Sequence, residues 1–164
     1  MSPIEISIQR QDFCLATQYQ KLRQNSATGA VVTFVGLVRD FQSAQLQQVT
    51  SLELQHYPAL AQAQLESIAQ TAVDKWSLQK VDIIHRVGLL EVSDQIVYVG
   101  VAASHRHAAY EANQFIMDSL KSDVAFWKKI HRSENCFWAD ANAEDQAFCN
   151  DELPQHLRTR RDGK

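Results

Sequence analysis

The hydrophobic and polar positions of this chain predict strands of two kinds. Ile4–Gln9 and residues 49–57 alternate between apolar and polar side chains, which is typical of strands and, for 49–57, of a strand with one exposed face. Ala30–Leu37 and residues 95–104 are apolar on both faces, as expected of strands in the middle of a covered sheet. Residues 81–88 predict one more strand of the same domain.

Three segments predict helices. Residues 13–24 are moderately helical. Pro58 suits the first turn of a long helix, whose apolar positions recur at helical spacing as far as Trp76. A third apolar stripe runs from Ala108 to Leu120.

Two short strands at residues 125–131 and 135–140, which can pair as a hairpin, complete the pattern. The order strand, helix, strand, strand, helix, strand, strand, helix, strand, strand predicts an α+β fold with a mixed, largely antiparallel sheet. The 164 residues fit one domain with a small protruding subdomain. We expect a single domain over residues 1–140 and a polar tail over residues 141–164.

Composition narrows the classes of partner. The formal net charge is −3 and the sequence pI is about 6.0, which argues against broad electrostatic binding to nucleic acid or to an anionic membrane. No apolar run approaches the ~20 residues of a membrane span and the start of the chain does not resemble a signal peptide, so we expect a cytoplasmic protein. Three cysteines, Cys14, Cys136 and Cys149, lack paired spacing and are expected to be reduced.

The segment from Ser104 to His107 is the strongest local anomaly. Ser104 is a plausible N-cap, and His105 and Arg106 then place positive charge at a helix N-terminus, where the helix dipole disfavours it by about 0.3–1 kcal/mol per charge. An arginine, a histidine and free backbone N–H groups at such a junction predict a phosphate or carboxylate site. The alternative is a surface ion pair between Arg106 and a nearby acid such as Glu111.

Lysines beside an aromatic pair form the second anomaly. Lys121 ends the third helix, whereas Lys128 and Lys129 are neighbours on a strand and must point to opposite faces. Together with Arg39 at the end of another strand, and with the cations at residues 105–106, these lysines would bind a compact, multiply charged anion. Crowding would also lower a lysine pKa. The alternative is that Lys121 is a C-terminal helix charge and that Lys128 and Lys129 are solvated edge-strand charges.

Histidines and short motifs exclude other kinds of site. His56 and His85 lie on apolar strand faces, which favours hydrogen-bonded core residues over metal ligands, and no metal is expected. The glycine-rich nucleotide-binding motifs and the serine-hydrolase motif are absent from the sequence.

Several linked motifs resemble one known family. TGAVVTFVGLVRD, LELQHYPAL, IIHRVGLLEVSDQIVYVGVAASHRHAAYEANQFIMDSLK and AFWKK occur in the order found in the large, catalytic subunit of molybdopterin synthase. The resemblance implies an α/β hammerhead-type fold and a homodimer within a heterotetramer. It also implies a small ubiquitin-like sulfur-carrier subunit, whose C-terminal Gly-Gly thiocarboxylate delivers sulfur to cyclic pyranopterin monophosphate. Neither a metal nor another cofactor is implied.

The resemblance assigns roles to particular residues. Arg39 is implied to contact the substrate phosphate, and Lys121 and Lys128 are implied to be catalytic. The full set of substrate-binding residues implied by the motifs is Leu37, Val38, Arg39, His105, Arg106, Lys121, Lys128, Lys129 and Ile130.

The chain also departs from the family pattern. Ala125 replaces the usual proline, Phe41 replaces a common histidine at the start of the 41–48 loop, and Ala141 and Asn142 stand where a basic residue is expected. Two other functions stay open on the sequence alone. One is a non-catalytic scaffold of the same fold that binds the carrier, and the other is a phosphate-ligand enzyme that needs no protein partner.

Overall fold

The computed structural model describes residues 2–40, 49–132 and 136–139. Its elements in chain order are β1 (Ile4–Gln9), α1 (Leu15–Leu22), β2 (Ala30–Leu37), β3 (Val49–His56), α2 (Pro58–Trp76), β4 (Lys80–Arg86), β5 (Gly88–Glu91), β6 (Gln95–Ala103), α3 (Arg106–Asp123), β7 (Phe126–Arg132) and β8 (Cys136–Ala139). The predictions for the 41–48 loop, for Ala141 and Asn142, for Cys149 and for the 141–164 tail lie outside the described residues.

The predicted helices and strands are present, and one strand was not expected. The sequence does not predict β5, because it is only four residues long and begins at Gly88, which indicates a turn. The φ of Gly88 is +86°, a conformation that glycine adopts without strain. Helix α1 is shorter than the predicted 13–24, although Phe13 is buried just before it.

The first sheet has four strands in the order β1-β4-β6-β2. β1 is parallel to β4, and the other two pairs are antiparallel. Both faces of the central strands are covered: Ile83 and Val99 pack in the core formed with α2 and α3, whereas Ile84 and Tyr98 pack with Leu22 of α1. This double cover explains the continuous apolar runs of β4 and β6.

The second sheet is antiparallel, with the order β5-β3-β7-β8. Directly opposite residues of paired strands point to the same face. Leu52, Leu90 and Ile130 therefore share a face, and they pack with Val38 and Ile96 in an apolar cluster. The predicted α+β class with mixed, largely antiparallel strands is confirmed, and the second sheet corresponds to the predicted small subdomain.

The position of β2 differs from the prediction. Within the described residues β2 lies at the edge of the first sheet, paired with β6 alone, and not in its middle. Phe34 and Leu37 are 38% and 53% exposed. A run that is apolar on both faces indicates that both faces suit an apolar neighbour, but it does not show whether that neighbour belongs to the same chain.

Candidate active site

Three cationic side chains from separate elements share one region of the structure. Arg39 follows β2, Lys121 lies in the last turn of α3 and Lys128 belongs to β7. The pKa of Lys128 is lowered, first because protein atoms displace part of its hydration water and then because the charges of Lys121 and Arg39 repel its proton. The amine remains accessible to solvent. A lowered pKa increases the fraction of Lys128 that is neutral and able to accept a proton.

Strand β7 directs Lys128 and Lys129 to opposite faces of the second sheet. Lys128 is paired with Leu54, on the face that packs toward the first sheet, whereas Lys129 is paired with Glu53. The ammonium of Lys129 lies 5.7 Å from the centroid of the Trp138 ring. The structure therefore does not place Lys129 beside Lys128. The alternative of edge-strand charges is wrong for both lysines, because β7 lies inside the second sheet between β3 and β8.

Val38 holds the segment that leads to Arg39. Its N–H donates to the carbonyl oxygen of Asp94 at 2.9 Å, and its side chain is only 4% exposed. Ile130 packs against the same apolar cluster. Leu37, by contrast, is 53% exposed, so these predicted pocket residues differ in access to a ligand.

His105 and Arg106 lie at the far end of α3 from Lys121. At ~1.5 Å per residue, the helix axis between Arg106 and Lys121 spans about 22 Å. A single compact anion does not bridge that distance. Within one subunit the predicted grouping of all the cations is therefore wrong.

The strand directions also separate His105 and Arg106 from Arg39. β2 and β6 are antiparallel, so Ala30 at the start of β2 is paired with Ala103 at the end of β6, and Leu37 is paired with Gln95. The predicted grouping of these cations requires the C-terminal ends of the two strands to be neighbours, which holds only when the strands run in the same direction. In this antiparallel pair, the C-terminal end of each strand lies beside the N-terminal end of the other.

The start of α3 also differs in detail from the prediction. His105 is the N-cap and its side chain makes no capping hydrogen bond, so the assignment of Ser104 as N-cap is wrong. Ser104 Oγ instead accepts a hydrogen bond from the side-chain amide of Gln79, which lies outside the helix. Glu111, the acid considered for Arg106, has its Oε1 3.3 Å from Nε2 of His107. His105 and Arg106 are exposed.

His85 occupies the junction between the two sheets, close to Lys128. Its ring is 5% exposed and stacks on Phe126, with centroids 3.7 Å apart and planes inclined by 6°. Nδ1 lies 2.9 Å from the carbonyl oxygen of Arg86. Burial lowers the pKa of His85 to about 4, with smaller effects from Lys128 and His56 in the same direction. The prediction of a hydrogen-bonded core histidine is confirmed for His85.

An open depression of about 370 Å³ lies next to this stack, lined by Ile8, His56, Pro58, Ala59 and Gln62. Ile8 is paired with His85 and His56 with Phe126, so the depression opens beside the start of β7. The sequence does not predict this depression, because the residues that line it come from β1, β3 and α2 and carry no shared motif.

Other kinds of site find no support in the described part of the chain. It contains no group of three or more His, Cys, Asp or Glu side chains able to hold a metal ion. Cys14 and Cys136 are free and exposed. No described helix is long and apolar enough to cross a membrane.

Comparison with known proteins gives concordant matches. The sequence profile of the family described as "MoaE protein" matches residues 8–123. The chain is 44% identical over 146 residues to the molybdopterin synthase catalytic subunit of Pasteurella multocida, covering 89% of this chain and 96% of that protein.

Two solved structures have a similar fold. A molybdopterin biosynthesis MoaE protein from Burkholderia ambifaria is 41% identical, with a TM-score of 0.73, covering 87% of this chain and 92% of that one. Molybdopterin synthase from Staphylococcus aureus is 31% identical, with a TM-score of 0.74, covering 85% and 98%. These matches confirm the hammerhead-type α/β fold expected from the sequence motifs.

Proposed function

The chain belongs to the MoaE protein family, and from this premise we propose that it is the catalytic subunit of molybdopterin synthase, a sulfur-transferring enzyme of molybdenum cofactor biosynthesis. One observation carries the proposal beyond the family match. Arg39, Lys121 and Lys128 converge from three elements, and the pKa of Lys128 is lowered among them. Such a site suits a reaction in which both substrates are anions.

The proposed substrate is cyclic pyranopterin monophosphate. The proposed sulfur donor is the C-terminal Gly-Gly thiocarboxylate of a small ubiquitin-like carrier subunit. In each transfer the thiocarboxylate sulfur bonds to a carbon of the pterin. A C–O bond of that carbon breaks, and its oxygen leaves as water or as a phosphate oxygen when the cyclic phosphate opens. Water then hydrolyses the acyl–sulfur bond. The sulfur stays on the pterin and the carrier regains a carboxylate, so two transfers build the dithiolene without a metal or redox cofactor.

The three cations have distinct proposed roles. Arg39 binds the phosphate, because its planar guanidinium can donate two parallel hydrogen bonds to phosphate oxygens. Lys121 lies beside the thiocarboxylate and stabilises the oxyanion that forms when water attacks the acyl carbon. Lys128, whose lowered pKa supplies neutral amine, accepts and returns protons during opening of the cyclic phosphate. Leu37, Val38 and Ile130 are proposed to shape the pocket around these groups.

A homodimer within a heterotetramer reconciles the site residues with their placement. His105 and Arg106 are about 22 Å from Lys121 in one subunit, so we propose that they complete the site of a second subunit. The exposed apolar residues Phe34 and Leu37 on the edge strand β2 support a protein contact at this sheet edge.

Three further parts of the proposal concern the whole chain. Residues 1–140 form one functional domain, and residues 141–164 are a polar tail. The working compartment is the cytoplasm. Lys129, on the outer face of the second sheet, is proposed to contact neither the pterin nor the thiocarboxylate of the carrier.

The proposal is tested by mixing the purified protein with cyclic pyranopterin monophosphate and a thiocarboxylated Gly-Gly carrier, and by measuring dithiolene formation. Lys121→Ala is expected to fold, to bind the carrier and to lose most product formation. Lys129→Ala, a lysine-to-alanine change on the outer face, is the matched control and is expected to keep turnover.

Each alternative function has its own outcome. Product formation without the carrier supports the self-sufficient enzyme and removes the proposed sulfur donor. Carrier binding without product by the wild-type protein supports the scaffold. Normal turnover by Lys121→Ala removes the role given to that lysine.

A further inference from the structure

The stack between His85 and Phe126 joins the two sheets next to the cation cluster. His85 lies on β4 of the first sheet, and Phe126 is the first residue of β7 in the second. The rings are nearly parallel at 3.7 Å, and both residues are under one-tenth exposed. The stack therefore fixes the distance between β4 and β7 directly.

Lys128 depends on this contact through the strand that carries it. Side chains two residues apart on a strand share a face, so Phe126 and Lys128 both point toward the first sheet. A shift of Phe126 therefore moves the lysine with it. His56, opposite Phe126 on β3, lies 6.0 Å away between ring centroids, so it contacts the same ring less closely.

The hydrogen bond of His85 fixes the tautomer of its neutral ring. The carbonyl oxygen of Arg86 can only accept, so Nδ1 at 2.9 Å carries the proton. The titratable groups that act on His85 are Lys128 and His56, and both disfavour a second proton. Those that act on Lys128 are Lys121 of α3 and Arg39 after β2. His85 thus adds a flat, uncharged surface under a cluster that already carries repelling charges.

We propose that His85 is a positioning residue for Lys128: its neutral ring, stacked on Phe126, fixes the entry of β7 and keeps the lysine amine partly dehydrated within the cation cluster. His85 does not touch the reacting atoms. The catalytic consequence rests on the proposed function, whereas the effect on the lysine itself does not.

Two substitutions separate the ring from the hydrogen bond. His85→Phe keeps an aromatic ring of similar size but loses the donor to the Arg86 carbonyl. His85→Asn places an amide N–H near the position of Nδ1 but removes the ring. Phe126→Leu removes the stack from the other strand while keeping apolar volume. His131→Asn, on β7 but on its outer face, is the control for a histidine change on the same strand.

The readout is the pH dependence of acetylation at each lysine of the full-length protein, measured by mass spectrometry with limiting acetic anhydride. Only the neutral amine reacts, so the profile reports the lysine pKa without substrate or carrier. Lys129, which faces away from the stack, is the internal control in the same peptide.

His85→Asn and Phe126→Leu are expected to move the Lys128 profile to higher pH and to slow its acetylation several-fold near neutral pH. His85→Phe and His131→Asn are expected to leave it in place, and Lys129 is expected not to move in any variant. In the assembled synthase the same two variants should shift the pH profile of kcat with a smaller change in KM.

Several outcomes would overturn the inference. An unchanged Lys128 profile in both His85→Asn and Phe126→Leu removes the positioning role. An equal shift in His85→Phe assigns the effect to the hydrogen bond and not to the stack. An equal shift at Lys129 indicates general loosening of β7. If the protein makes no molybdopterin at all, the labelling result still stands, so failure of the proposed function is separate from failure of this inference.

Discussion

Asp82 offers the sharpest test of the electrostatics of this fold, because it is a carboxyl group buried where water does not reach it. It is 1% exposed on β4, between Glu5 on β1 and Gly100 on β6. Within the described residues its Oδ2 has no hydrogen-bond partner. Burial, and then the negative charge of Glu5, raise the pKa of Asp82 to about 6, against the opposing effect of Lys21 and Lys80.

The direction of the effect on stability follows from proton binding. The folded protein holds the Asp82 proton more tightly than the unfolded chain, whose aspartate pKa is 3.8. The favourable contribution is therefore complete below pH 3.8 and is lost as the pH rises through about 6. With ~1.36 kcal/mol for each pKa unit, the loss in free energy of unfolding is about 3 kcal/mol.

Asp82→Asn removes this titration while keeping the shape of the side chain. We expect the free energy of unfolding of the wild type, minus that of Asp82→Asn, to fall by about 3 kcal/mol between pH 3.8 and pH 7.5. Urea denaturation at fixed protein concentration, at half-unit pH intervals, measures both curves. The difference cancels the other titrating groups and any constant cost of the amide.

Asp74→Asn is the matched control, because Asp74 is an exposed carboxylate on α2 that hydrogen-bonds Gln70. The same aspartate-to-asparagine change at this exposed position should not reproduce the fall of about 3 kcal/mol, because surface substitutions usually change the free energy of unfolding by less than ~0.5 kcal/mol. A flat difference curve for Asp82→Asn would show that water or a partner reaches that carboxylate in solution, and it would refute the argument from burial.

Three other predictions concern the site and its surroundings. Lys128→Met should abolish most product formation in the carrier-dependent assay while Lys129→Met keeps it, and equal losses would contradict the division of roles between the two faces of β7. Mixing unfolded Arg106→Ala and Lys121→Ala subunits and refolding them together should restore about a quarter of wild-type turnover. Half of the random dimers are then mixed, and each mixed dimer has one intact site out of two. No recovery of turnover would argue against sites shared between subunits. The unfolded chain binds a proton at His85 more readily than the folded protein, so stability should decrease as the pH falls from 6.5 to about 4. The expected loss is about 3 kcal/mol in free energy of unfolding relative to His85→Phe. Parallel urea stability curves for the two proteins would contradict the low pKa of His85.

The sequence predicts which helices and strands form better than it predicts which strands are neighbours in a sheet. Period-two and helical spacing find the long elements, because burial of one or two faces leaves a direct record in the order of side chains. They do not show that β2 lies at an edge. The exposed Phe34 makes the same pattern as a buried phenylalanine would.

The candidate site shows the same limit at the level of single residues. Opposite faces for Lys128 and Lys129 follow from strand geometry, but which of them points inward depends on the pairing with Leu54 and Glu53 of β3, which lies far along the chain. The separation of Arg106 from Arg39 depends on the antiparallel pairing of β2 with β6, which a residue pattern does not contain. The motif resemblance assigns roles, whereas only the topology shows which residues one subunit can bring together.

The cation cluster is an unfavourable arrangement in the free subunit, and this has a consequence for its chemistry. Desolvation, and then the charges of Lys121 and Arg39, lower the pKa of Lys128, which increases its neutral fraction before any ligand arrives. An anion that binds among these groups favours the charged amine and raises that pKa again. Binding of a phosphate or thiocarboxylate is therefore linked to proton uptake at Lys128. In the proposed reaction this proton is available to an oxygen that leaves as the cyclic phosphate opens, so the lowered pKa of the free site would prepare the acid needed in the occupied one.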